Sequence, residues 1–483
     1  MDTIELLFSK DLRFHFLGIC GTAMGAVASM LKELGYEVGG SDENVYPPLS
    51  TFLTQQGISI KEGYKAQNLP QDRAGTVVVV GNVIKRGNPE LEAVLEKKYL
   101  FLSLPEVLKF FFLQGKQNIV VSGTHGKTTT SSLLAWIFES ASLNPSFLIG
   151  GLPKNFTSGC RYTRGDYWIL EGDEYDTAYF DKRSKFLHYL PQTVIINNIE
   201  YDHADIFANL GEILLAFKRL ILLIPRNGHL IIPEDDPNIV ELAKSSLAPV
   251  YTVGFGKEAE FRITDVLYDQ RGSRFRMLGE EFFLPMPGEY NVRNAAMCLV
   301  AAKLYGIKLE QISQGFASFQ GVKRRLEVLG EACGIKVLDD FGHHPTAIYK
   351  TIQAVRQRYP SRRLWAVFEP RSNTTRRAVF QQELPQALAG ADGVVISEVA
   401  NKEGLSPSER LKPEQIAQEL GKKGIPSFFC ASPQEILQKL LDVLRAGDIV
   451  VFFSNGSFHG IPYRLVEILN NKKDHFDQSH GTK

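Results

Sequence analysis

The short run Asn118-Ile119-Val120-Val121 leads straight into Ser122-Gly123-Thr124-His125-Gly126-Lys127-Thr128-Thr129-Thr130. Leu133, Leu134, Ile137 and Phe138 then recur at helical spacing. Strand, glycine loop and helix in that order constrain the fold more than any other stretch. The loop's backbone N–H groups and the positive end of the helix together make a polyphosphate site. This reading predicts a helix opening at Thr128, with Lys127 reaching the β/γ-phosphates and the Thr128 hydroxyl on Mg²⁺. The full G-x-x-x-x-G-K-S/T pattern would need glycine at position 121, where the chain has Val121. The loop is a shortened variant.

Length and composition narrow the setting. At 483 residues the chain has room for three domains, at roughly 150 residues each. Its 54 basic side chains balance 54 acidic ones, so no overall field favours nucleic acid or an anionic membrane. No apolar run approaches the ~18 residues of a membrane span. The start, Met1-Asp2-Thr3-Ile4-Glu5, lacks the basic and apolar regions of a signal peptide. Cys20, Cys160, Cys298, Cys333 and Cys430 are scattered without metal-ligand spacing and read as reduced thiols. A cytoplasmic enzyme is expected.

Apolar runs alternating with helical patterns predict an α/β chain of three domains, each on a mostly parallel sheet. A Rossmann-like N-terminal domain is expected over 1–106, a central P-loop domain over 107–320 and a Rossmann-like C-terminal domain over 321–470. The polar tail 471–483 is expected to fray.

In the first domain, Arg13–Leu17 reads as a strand running into a turn with glycines at 18, 21 and 25. That spacing fails a strict G-x-G-x-x-G pattern. A diphosphate over the helix N-terminus, with Ser41 or Asp42 near a ribose or base, competes with a ligand-free turn and with a nicotinamide cofactor.

Beyond the phosphate loop, Glu171 directly follows the strand Tyr167–Leu170 and is the predicted Mg²⁺ ligand. Asp173, Glu174 and Asp176 after it read equally well as a solvated acidic loop. His203 lies past the next strand end, in acidic company, as a candidate ligand for a second divalent ion. Asn291 is the predicted N-cap of an Ala-rich helix, with Asn294 free to hydrogen-bond a base. Arg325, in Lys323-Arg324-Arg325, could stabilise charge on a transferring phosphoryl group. Asp339-Asp340-Phe341-Gly342-His343-His344-Pro345 follows a strand. Adjacent histidines on a strand point to opposite faces, which favours nucleotide or substrate binding over joint metal ligation.

These motifs, spread over nearly the whole chain, resemble the Mur ligases, ATP-dependent amide-forming enzymes of peptidoglycan assembly. The family uses the shortened loop, which accounts for Val121. The resemblance implies catalytic roles for Lys127, Glu171, His203 and Arg325, with metal ions on Thr128, Glu171 and His203. ATP would be held by Gly123, Thr124, His125, Gly126, Lys127, Thr128, Thr129, Asn291, Asn294, Arg325 and Asp340. UDP-N-acetylmuramate would be held by Gly18, Cys20, Gly21, Thr22, Ala23, Met24, Ser41 and Asp42.

The stretches 42–48, 172–186, 368–374 and 454–456 resemble the branch that adds the recycled murein tripeptide, L-alanyl-γ-D-glutamyl-meso-diaminopimelate. There His343, His344, Arg371, Asn373, Thr374 and Arg376 would contact the peptide. Ser457-Phe458-His459-Gly460 departs from that branch in being less glycine-rich. L-Alanine is the alternative acceptor, and a nicotinamide-dependent oxidoreductase the distant alternative. Lys218 lies fifteen residues after His203, a spacing at which some family members carry a carbamylated lysine; an ordinary helix lysine is expected. Nothing in the sequence sets an oligomeric state.

Overall fold

The computed structural model describes residues 11–400 and 404–480. Three sheets carry the architecture. The first is five-stranded and wholly parallel, with strands β1 (Arg13–Leu17), β2 (Glu37–Asp42), β3 (Ser59–Glu62), β4 (Thr76–Val80) and β5 (Leu100–Ser103) in the order β3-β2-β1-β4-β5. Val77, Val78, Val79 and Val80 are all fully buried, the mark of a strand covered on both faces. The turn after β1 opens helix α1 (Thr22–Glu33).

The central sheet has eight strands. They are β6 (Gln117–Ser122), β7 (Ser146–Leu148), β8 (Cys160–Arg161), β9 (Tyr167–Gly172), β12 (Thr193–Ile196), β13 (His229–Pro233), β14 (Val250–Gly254) and β15 (Phe261–Arg262). The numbers β10 and β11 belong to a hairpin, Asp176–Ala178 and Asp181–Ser184, that leaves the sheet after β9. The spatial order is β15-β14-β13-β12-β6-β9-β7-β8, antiparallel only between β7 and β8.

Alternate residues of the inner strands feed opposite cores, as pleating requires. Val120, Leu170, Val194 and Ile196 join one apolar cluster, and Ile119, Val121, Ile169 and Ile195 join the other. The first cluster also contains Phe14, Phe16, Val77 and Val79, so N-terminal and central domains share continuous packing. A three-stranded antiparallel sheet, β16 (Thr264–Tyr268), β17 (Ser273–Met277) and β18 (Glu280–Leu284), completes the central domain and was not foreseen.

The C-terminal sheet contains β19 (Glu327–Ala332), β20 (Ile335–Asp340), β21 (Leu364–Phe368), β22 (Gly393–Ser397), β23 (Ser427–Cys430) and β24 (Ile449–Phe453). Its order is β19-β20-β24-β21-β22-β23, parallel except at the β19 edge. The last helix runs Ile461–His480; of the tail expected to fray, 471–480 are helical backbone and 481–483 lie outside the described residues.

Helix α2 (Lys127–Ser140) begins one residue before the expected Thr128 and follows β6 through the glycine loop. Gly123 and Gly126 take φ of +129° and +82°. A Cβ at Gly126 would come within 2.9 Å of the Asn197 Nδ2, and one at Gly123 within 2.9 Å of the Asn198 carbonyl oxygen. Both positions therefore need glycine. Helix α3 (Leu210–Ile221) carries Lys218 on its exposed face. The Ala-rich helix α4 (Glu289–Leu304) is capped by Gly288, not by Asn291. Asn291 sits inside its first turn and donates to the Pro287 carbonyl at 2.7 Å.

Candidate active site

The carboxyl ends of β6, β9 and β12 face those of β20, β21 and β24 across a cavity of about 680 Å³. Ligands of open α/β sheets bind at such strand ends. Two neighbouring clusters of side chains line this cavity.

The first cluster centres on Lys127. Its ammonium donates to the Gly123 carbonyl at 2.7 Å and to the Glu174 carboxylate at 2.7 and 3.1 Å. Glu174 Oε1, the oxygen 3.1 Å from Lys127, also meets His203 Nε2 at 2.8 Å. Burial opposes every charge here. Even so, Lys127 and His203 hold the Glu174 carboxyl below the usual carboxylate range. Glu174 in turn raises Lys127 and His203 against their burial. Asp173 beside it is likewise lowered, by Lys185 and Lys127, against its own burial.

The second cluster crosses between domains. The Thr128 hydroxyl donates to Glu171 Oε1 at 2.8 Å and accepts from Arg325 Nη2 at 3.1 Å. Glu171 Oε2 accepts from the Gly150 N–H at 2.7 Å. The Arg325 guanidinium lies 4.8 Å from the Phe341 ring centre, within cation–π range.

Two asparagines after β12, which sequence reading passed over, brace the phosphate loop. Asn198 accepts from the His125 N–H at 2.8 Å and donates to its carbonyl at 3.1 Å. Asn197 donates to the Thr130 hydroxyl at 3.1 Å. On the opposite side Asn294 Nδ2 and Asn291 Oδ1 are buried without a partner, although Asn294 adjoins Gly126. A buried donor and a buried acceptor left open beside a phosphate loop suit a nucleotide that completes them.

Sequence profiles of three Mur ligase domains tile this chain. The family's catalytic domain matches residues 13–115, the Mur ligase middle domain 121–302, and the glutamate ligase domain 324–456. UDP-N-acetylmuramate–L-alanyl-γ-D-glutamyl-meso-2,6-diaminoheptandioate ligase of Escherichia coli K12 is 38% identical, covering 96% of this chain and 99% of its own length. The chain belongs to the Mur ligase family. UDP-N-acetylmuramate–L-alanine ligase of Variovorax paradoxus is 33% identical over 94% of each chain. The crystal structure of a murein peptide ligase from Psychrobacter arcticus superposes with a TM-score of 0.68 at 34% identity, covering 95% of this chain and 99% of that one.

In this Mur ligase the residues expected around ATP line one cavity, from Thr124 through Thr129 to Glu171, His203, Asn291, Asn294, Arg325 and Asp340; Gly123 adds the carbonyl that holds Lys127. Asp340 is already engaged: its two oxygens accept the Leu326 and Gly342 N–H groups at 2.8 Å each. It shapes the turn that presents Arg325.

The residues expected to meet the peptide divide. His343, Asn373 and Thr374 line the cavity. Thr374 donates to Asp202 at 2.6 Å and Asn373 to Asp205 at 2.7 Å, which ties the C-terminal domain to the His203 loop. His344 also lines the cavity, while capping helix α5 (Pro345–Arg358) and lying beside His125 of the phosphate loop, ring centres 4.5 Å apart. Arg371 turns toward buried Glu369 at 3.6 Å, and Arg376 donates to the Asn373 side chain at 2.8 Å. Neither arginine forms part of the cavity wall.

The N-terminal turn borders a second cavity, of about 710 Å³, lined by Gly18, Cys20, Gly21, Asp42, Tyr64 and the exposed cations Lys85 and Arg86. The Asp42 carboxylate is spent on the turn, accepting the Cys20 and Asn44 N–H groups at 2.8 and 2.9 Å. Ser41 and Met24 do not reach this cavity. Met24 is in the apolar core. Ser41 is fully buried and donates to Glu90 at 2.7 Å, in a network with His15 and Asn68. Thr22 and Ala23 are exposed at the first turn of α1, outside the wall. Lys85 and Arg86, just past β4, were missed. Their signal is a basic pair following an apolar strand.

Proposed function

We propose that this Mur ligase joins L-alanyl-γ-D-glutamyl-meso-diaminopimelate to UDP-N-acetylmuramate at the expense of ATP, releasing ADP and phosphate. The observation that carries the reading is the convergence of Lys127, Thr128, Arg325 and His203 on one cavity, from both sides of a domain interface.

A carboxylate is a poor acylating agent. In the proposed reaction the muramate carboxylate oxygen attacks the γ-phosphorus of ATP, the bond to ADP breaks, and an acyl phosphate forms. The tripeptide's free amine then adds to the carbonyl carbon. The C–O bond to phosphate breaks and the amine loses its proton. Three anionic groups have to meet, so the site's work is positioning and charge compensation. Lys127 and Arg325 serve the transferring phosphoryl group, and the phosphate loop holds the nucleotide.

The Thr128 hydroxyl and the Glu171 carboxylate are hard oxygen donors on one side of the loop, and fit Mg²⁺. Bound there, the ion would offset phosphate charge. His203, steadied by Glu174, is the proposed ligand for a second ion. The basic rim at Lys85 and Arg86 suits the UDP diphosphate.

The peptide is preferred to L-alanine as acceptor because the cavity continues along the C-terminal domain to Asn373, Asn455 and Tyr463. That is room for a chain of several residues. The higher identity to the tripeptide-adding relative agrees.

The acyl phosphate is tested by labelling the muramate carboxylate with heavy oxygen. One labelled oxygen should appear in the released phosphate. Phosphate free of label would rule the route out.

A further inference from the structure

His125 of the phosphate loop, Glu200 after β12 and His344 at the start of α5 place one ligand-type atom each within 4.8 Å of the others. The mechanism uses none of these three side chains. His344 Nε2 donates to the Tyr201 carbonyl at 3.3 Å, which fixes the tautomer and leaves a lone pair on Nδ1. That nitrogen accepts the Thr346 N–H at 3.2 Å and faces Glu200 Oε2 at 3.2 Å. Nδ1 and the Glu200 carboxylate oxygen thus lie close enough to share one cation. His125 Nε2 lies 3.3 Å from the same carboxylate oxygen.

From this geometry we propose a transition-metal site on His125, Glu200 and His344, best matched to Zn²⁺. Two imidazole nitrogens and one carboxylate are a zinc donor set with a fourth position left open, here toward the cavity that His125 and His344 line. Metal-bound histidines characteristically donate their other ring N–H to a carbonyl or carboxylate, as His344 does to Tyr201. Burial keeps the His344 imidazole neutral, the form that ligates. The nitrogen donors separate this site from the oxygen pair Thr128–Glu171, since Mg²⁺ takes oxygen ligands. The ion replaces the Thr346 cap bond to Nδ1 and ties the phosphate loop to the C-terminal domain in the nucleotide-free enzyme.

The test is titration of Co²⁺, then Zn²⁺, into metal-stripped, nucleotide-free full-length protein, read by calorimetry and by the visible ligand-field band of cobalt. Expected are one ion per chain, a nitrogen/oxygen band without thiolate charge transfer, and no displacement by excess Mg²⁺. His344→Asn, which keeps a helix-capping side chain, and Glu200→Gln should each weaken binding by about ten-fold or more. The absence of stoichiometric binding, displacement by Mg²⁺, or an affinity unchanged in either variant would overturn the site.

Discussion

The Lys127 ammonium and the Glu174 carboxylate form an ion pair at 2.7 Å, with side chains 13% and 2% exposed. Glu174 occupies the ammonium that a nucleotide phosphate would claim, and its Oε1 also holds His203. A single carboxylate thus orders both cations on that wall of the cavity before any substrate arrives. Breaking a buried pair from one side leaves an uncompensated charge. Glu174→Gln is therefore expected to destabilise the nucleotide-free protein by about 3–5 kcal/mol. Much of that loss should return when an ATP analogue supplies the counter-charge, and denaturation with and without the analogue measures both. An equal loss in the two conditions would mean that Lys127 does not exchange Glu174 for nucleotide.

Arg325 reaches across the domain interface to the Thr128 hydroxyl. An arginine that compensates charge on a transferring phosphoryl group is worth about 10³–10⁵ in rate. Arg325→Ala should lower kcat on that scale while leaving the melting temperature close to wild type. A defect confined to KM for ATP would reassign Arg325 to ground-state binding.

Asn294 carries a buried Nδ2 with no partner. Removing that amide nitrogen breaks no hydrogen bond of the nucleotide-free fold. Asn294→Ala should leave stability unchanged and weaken ATP and ADP binding by about 1–3 kcal/mol, the cost of an unmade buried hydrogen bond. Calorimetric titration with ADP checks this directly. Unchanged ADP affinity would exclude the contact.

Acid stability follows from His344 and Glu200. Burial, and then the facing His125, push the His344 imidazole down to about 3. A histidine in the unfolded chain titrates near ~6.5. On acidification the unfolded state takes up the proton first, so the His344 contribution is whole above about 6.5 and drains away toward about 3. Burial would raise Glu200, but the His125 hydrogen bond and neighbouring cationic charge hold it at about 2. Its contribution is whole above about 4.3 and falls below that. His203 has the opposite sign, because its raised value gives stability that fades as pH rises past ~6.5. The melting temperature of wild type should therefore fall more steeply between pH 7 and pH 5 than that of His344→Asn. Parallel curves would refute the assignment.

The strands that deliver the site were readable because they are short, doubly buried apolar runs. Arg13–Leu17 and the runs 118–121 and 167–170 all stand where expected. The phosphate loop and Glu171 were equally open to reading, since a glycine pair before Lys-Thr and a carboxylate at the carboxyl end of a strand have local causes. Glu174 was not. In sequence it is one acid among four, and its burial comes from Lys127 and His203, 47 and 29 residues away. Ser41 misled for the same reason: Glu90, on a distant helix, draws it inward. The sheet Thr264–Leu284 escaped notice because its strands lie in one unbroken stretch without intervening helices.

The central claim is that this Mur ligase acylates a peptide amine. The most direct test is phosphate release with ATP and UDP-N-acetylmuramate, comparing kcat/KM for the tripeptide and for L-alanine. The account predicts a preference for the tripeptide of about 100-fold or more, as expected where polar groups of the site would otherwise stay unpaired. Equal or greater efficiency with L-alanine would contradict it.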